Sequence, residues 1–132
     1  MPQWQQLGPH RYYVDDAFLH WEPHGVIEPE HVPRFLALLD QIGARQQAIA
    51  LIIDQREALP IGPVVRRQVL DYLREVRPDA FVAFIGSPLV QRAVNQLLIA
   101  AARTLLGYDL RHANFGSVEE AQRHLGRAPT SD

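Results

Sequence analysis

The sequence predicts a single α/β domain with a mostly parallel five-stranded sheet, one antiparallel edge strand, and the element order ββαβαβαβα. Three observations carry this. Two apolar runs, 48–53 and 80–85, show no alternation, as strands buried on both faces do. Helical spacing of apolar residues recurs between and after them, and such alternation implies right-handed crossovers and a parallel sheet. The length of 132 residues suits one core and one domain.

Taken in order, residues 1–9 read as a tail and the domain as residues 10–126. Residues 11–14 and 17–22 read as two strands joined at the turn-forming pair Asp15-Asp16, the first at an antiparallel edge. In the second, Ala17, Leu19 and Trp21 alternate with Phe18, His20 and Glu22, which suits one core face and one mixed face. Pro23-His24-Gly25 then breaks the strand. Phe35, Leu38, Leu39 and Ile42 share one helical face. Pro29 and Pro33, four apart, predict an irregular first turn and a regular helix from about Pro33, stopping near Gly43. The run 48–53 ends at Asp54. A loop through Pro60, Gly62 and Pro63 leads to a helix whose stripe is Val65, Val69, Tyr72, Leu73 and Val76, and Pro78 ends it.

After the strand at 80–85, Ser87 as N-cap with Pro88 at the first position signals a third helix, running to Leu106 and stopping at Gly107. Its expected polar stripe is Arg92, Asn95, Gln96 and Arg103, with Ile99 in the middle of it. A strand over 110–115 follows. Ser117-Val118-Glu119-Glu120 is a capping box opening the last helix, which carries Ala121 and Leu125 inward. Residues 127–132 read as a polar tail.

Composition removes several chemistries. There is no cysteine, so no thiol nucleophile, disulfide or Cys-bound metal. All 13 basic residues are arginine, and without lysine neither a Schiff-base enzyme nor a Walker-type phosphate loop can be built. The missing lysine also removes a receiver-domain reading of Asp54. A net charge of −2 with no basic patch gives no reason to expect nucleic-acid binding. No window approaches the ~18 apolar residues of a membrane span, and no signal peptide opens the chain, so a cytoplasmic protein without a cofactor is expected.

Five stretches together resemble a known family: Trp21-x-x-x-Gly25-x-Ile27, Leu51-Ile52-Ile53-Asp54, Pro63-x-x-Arg66-Arg67, Ile85-Gly86-Ser87-Pro88-x-x-x-Arg92-Ala93, and Phe115-x-x-x-x-Glu120-Ala121 before Leu125. In order and spacing they resemble the small bacterial SpoIIAA-like proteins, also described as STAS/SEC14-like. The resemblance implies a β/α superhelix acting as a non-enzymatic, regulatory protein-interaction module, or as a carrier of a small apolar, lipid-like ligand. In anti-sigma-factor antagonists of that superfamily a phosphorylatable serine follows the strand that ends in Asp. Here Leu59-Pro60-Ile61-Gly62-Pro63 holds no Ser or Thr.

Ligands of open α/β sheets sit beyond the carboxyl ends of the parallel strands. Those ends offer His24, Asp54, Arg56, Ser87 and Asn114 as candidate ligand- or partner-binding residues. His24, Asp54 and Ser87 are the residue types of a hydrolytic triad, although no G-x-S-x-G elbow surrounds Ser87. Each also has a structural explanation, as loop histidine, strand-end turn residue and helix cap. The helix start at Ser87, with Arg56 nearby, could take an anion. His20, Glu22 and His24, with His31 beyond, have metal-ligand chemistry, but an exposed polar strand face is the expectation. Ile99 on its helix, and Tyr12, Tyr13 and Phe18 on the edge hairpin, read as surface apolar residues open to a partner protein or a second copy. A pocket lined by Trp21, Phe35, Phe81 or Phe84 would favour the ligand carrier, and a filled core the interaction module.

Overall fold

Six strands form one mixed sheet in the computed structural model, which describes residues 3–15, 18–45 and 48–130. The elements are β1 (Gln5–Leu7), β2 (His10–Val14), β3 (Leu19–Glu22), α1 (Val32–Arg45), β4 (Ile49–Asp54), α2 (Pro63–Val76), β5 (Ala80–Ile85), α3 (Leu89–Leu106), β6 (Arg111–Phe115) and α4 (Val118–Thr130). Their spatial order follows the chain, β1-β2-β3-β4-β5-β6. The pairs β1–β2 and β2–β3 are antiparallel, and the remaining three are parallel.

The expected α/β architecture is present, with one strand more than the sequence suggested. β1 lies within the segment read as a tail and covers the edge that β2 was expected to form. Asp15 and Phe18 exchange two backbone hydrogen bonds across the hairpin, while Asp16 and Ala17 lie outside the described residues. Pro29–His31 is a 3-10 turn with proline near its start, which is the irregular entry the two prolines dictate. Gly43 does not stop α1, which continues to Arg45. α2 ends where Arg77 turns left-handed, and α3 where Gly107 does. At the far end α4 continues through Pro129 to Thr130, and residues 131–132 are outside the described part.

Crossovers of one hand stepping in one direction put their helices on one face. Accordingly α1, α2 and α3 share the core built on Trp21, Leu51, Val82 and Phe84. α4 follows the last strand, is no crossover, and packs on the other face through Ala121 and Leu125 against Ile52, Ala83 and Ile85. Because the strand order never reverses, the sheet has no topological switch point and no crevice of the kind that reversal opens. Among the described residues, no helix is long and apolar enough to cross a membrane.

α3 is rotated relative to expectation. Gln91, Asn95, Ile99 and Ala102 face inward, and Leu89, Val90, Leu97 and Leu105 face out. Ile99, expected in a water-facing stripe, is 3% exposed. Phe18 and Tyr13 are likewise core residues of the α4 face, and Tyr12 is half-buried beside Trp21. The exposure expected of Ile99, Tyr12 and Phe18 is therefore corrected. The hairpin aromatics are covered because β1 brings Leu7 to one face and Trp4 packs edge-on to Tyr13 on the other.

Candidate functional site

Between the sheet and the three-helix layer lies a cavity of about 170 Å³. Trp21, Ile53 and Phe84 form its floor, Phe35 and Leu39 come from α1, Val65 and Val69 from α2, and Ile99 and Ala102 from α3. An apolar cavity of ~150 Å³ is large enough to hold benzene or xenon. The loop after β4 closes one end with Ala58, Leu59 and Ile61, tied down where Gly25 and Ala58 bridge and Leu59 N–H donates to Gly25. Tyr72 stands in the wall with its hydroxyl donated to Asp40, and burial pushes its phenol pKa up.

At the carboxyl end of β4 the cavity meets a buried amide cluster. Asn95 Nδ2 donates to Gln55 Oε1 at 2.9 Å, and Gln55 Nε2 donates back to Asn95 Oδ1 at 3.3 Å. Ser87 Oγ also donates to Gln55 Oε1, and Gln91 Nε2 to Asn95 Oδ1. This explains the rotation of α3. Asn95 turns inward because Gln55 supplies partners for both ends of its amide, and a satisfied buried amide costs little; Gln91 follows with its Nε2 bonded and its Oε1 unpaired. Ser87 is thus not the helix cap it was read as; Pro88 occupies that position without a side-chain bond.

A second polar cluster lies on the opposite face. Asp54, 3% exposed, accepts two bonds from the Arg56 guanidinium and one from the Arg56 backbone. Burial would raise its carboxyl pKa, but the bonds and charge of Arg56 outweigh it and hold it below the usual range. The Arg56 stem lies where a Cβ on Gly86 would be, which is one reason residue 86, at φ 59, is glycine. Glu22 pairs with Arg11 and with His24 Nε2. His20 is buried, against the expectation of an exposed strand face. Its Nδ1 meets Tyr13 Oη at 3.1 Å and its Nε2 has no partner. Burial lowers its pKa, although Asp54 and Glu22 pull the other way. His20, Glu22 and Asp54 bring ligand atoms within 4.8 Å of one another, with Asp54 in the place the sequence reading gave to His24. Both carboxylates are already neutralised by arginine.

The five candidates at the strand ends are therefore divided between the two faces. No hydrogen bond among the described residues joins His24, Asp54 and Ser87, whose partners are Glu22, Arg56 and Gln55. Arg56 is committed to Asp54 rather than to an anion at α3. Asn114 is exposed on β6, beside Phe84. His31 lines the cavity instead of joining the other histidines as a ligand. The residues that sequence reasoning missed are Gln55, Gln91 and Asn95, whose only signal was an amide at i and i+4 on a helix facing a strand-end amide. Comparison with known proteins returns no matching family model and no matching curated protein. What stands is an α/β protein with a six-stranded mixed sheet.

Proposed function

We propose that this protein binds a small apolar molecule in the cavity between its sheet and α1, α2 and α3, acting as a carrier or sensor rather than as an enzyme. The carrying observation is the cavity itself, lined by Trp21, Phe35 and Phe84 in place of a filled core. Its size suits roughly a single ring or a short chain, by comparison with the ~150 Å³ that holds benzene, and not a two-chain lipid. The SpoIIAA-like resemblance belongs to this proposal and is consistent with the order of elements. Hydrolysis by His24, Asp54 and Ser87 has the least support, since each is bonded elsewhere. The test is titration of ¹⁵N-labelled protein with toluene. The indole N–H of Trp21 should shift saturably while that of Trp4, on the other face, stays still. Absence of saturable shifts at Trp21 removes the proposal.

A regulatory protein-interaction role is the second reading, favoured by one observation. Val90, Leu97 and Leu105, spaced seven and eight apart along α3, are 64%, 69% and 73% exposed. A second copy docking there would give a dimer that Leu97→Glu dissociates. Light scattering that finds only monomer at high concentration would remove the dimer.

A further inference from the structure

Resting on the ligand-binding reading above, we infer that the cavity selects neutral molecules carrying a hydrogen-bond donor, such as a phenol or an aryl alcohol. Carboxylates, and isomers that offer only an acceptor, are disfavoured. The observation is Gln91. This side chain is 4% exposed, lines the cavity, and has an Oε1 with no partner. Its orientation is fixed by its neighbours. Ser87 Oγ sits 2.5 Å from Gln55 Oε1, a separation of O–H···O and not of N–H···O bonds, which sets the Gln55 amide. Gln55 Nε2 then meets Asn95 Oδ1, and Gln91 answers the same oxygen with Nε2. The Gln91 oxygen is thereby left as an acceptor without a donor. A buried acceptor of this kind is costly to leave unpaired, and a ligand hydroxyl removes the cost.

The rest of the lining sets the charge. Among the described residues, no arginine, aspartate or glutamate lines the cavity, and its only titratable members are His31 and Tyr72. The Tyr72 hydroxyl donates its hydrogen bond to Asp40. A carboxylate would enter with no permanently charged cation to meet it, which desolvation disfavours. The Nδ1 of His31 also lacks a partner, but that half-buried ring offers a donor or an acceptor according to tautomer and so imposes no polarity.

The test uses four probes of one size class, toluene, p-cresol, anisole and benzoate, read at the Trp21 indole. Cresol and anisole are isomers that differ in having a donor. In the wild-type protein p-cresol should bind about 3- to 10-fold more tightly than anisole, the ordinary worth of one hydrogen bond. Gln91→Met, close in shape, should abolish that preference and leave toluene within about twofold, since an apolar ligand never used the bond. Benzoate should give no saturable shift. Equal binding of cresol and anisole, a preference that survives Gln91→Met, or benzoate binding as well as cresol would each overturn the inference. In those cases toluene still binds and the cavity reading stands. Failure of toluene itself sinks the cavity reading instead. The isomer pair needs no variant, so the inference is testable even if Gln91→Met does not fold.

Discussion

Replacing Ala102 with leucine asks whether the space beneath α3 is empty. Ala102 is 1% exposed, lines the cavity, and sits in a helix whose propensity leucine satisfies. The change adds three carbon atoms, worth about 2.4 kcal/mol at ~0.8 kcal/mol per buried methylene. Ordering the longer side chain costs about 0.5–1 kcal/mol. The net is a gain of about 1.5 kcal/mol. For a chain of this length the unfolding entropy converts that into a Tm rise of about 5 °C. Thermal unfolding followed by circular dichroism measures it, and toluene titration of the same variant should show affinity at least about tenfold weaker, a loss near 1.4 kcal/mol. A well-packed site behaves in the opposite way. Forcing extra carbon into a filled core costs about 1–3 kcal/mol. A variant destabilised by that amount would show the space beneath α3 to be filled.

Three further outcomes follow from the polar clusters. Gln55→Met leaves the Ser87 hydroxyl and the Asn95 amide buried without their partner, at about 1–3 kcal/mol for each group. Urea denaturation should show a loss above about 2 kcal/mol, and a loss within about 0.5 kcal/mol would mean the cluster is not holding α3. Arg56→Ala removes the guanidinium bonds and charge that hold the Asp54 carboxyl low, leaving burial opposed only by the residue-56 backbone N–H and by His20, so carboxyl NMR titration should show its pKa rise. An unmoved pKa would contradict the assignment. Burial lowers below 6.5 the pKa values of His20 and of His10, which is fully buried beside Trp21 and accepts the His24 N–H, so between folded and unfolded values the unfolded chain binds more protons. Their stability contribution is full above pH 6.5 and lost as the pH falls, with a slope of at most about 1.4 kcal/mol per pH unit for each ring. Tm should drop between pH 7.5 and 5, and His20→Gln should flatten the drop; a Tm that rises on acidification would be the contrary result.

The central strands were legible because burial on both faces leaves no room for alternation. β4 and β5 fall within a residue of the apolar runs that announced them. Proline and glycine marked the start of α2 and the end of α3 through backbone geometry alone. β1 was not legible. It is three residues of Gln-Gln-Leu in which only Leu7 is buried, and its place comes from backbone pairing that carries no hydropathy signal. The face of α3 was misread for a related reason. Hydropathy assigns amides to water, and only the fold reveals that Gln55 and Ser87 wait inside for Asn95. Ile99 then followed Asn95 to the wrong side. Of Trp21, Phe35, Phe81 and Phe84, the aromatics expected to line a carrier's pocket, Phe81 packs on the α4 face instead, and the gap among the other three arises from packing three helices on one sheet face, which no linear pattern encodes.

Ligand binding requires that the space among Trp21, Phe35, Phe84 and Ile99 be an accessible apolar site. Crystals pressurised with xenon test it without presuming a ligand, because xenon enters dry apolar cavities of this size. An accessible cavity gives a xenon peak bounded by those four side chains. A crystal structure in which they close on one another, with no xenon between them, would contradict it.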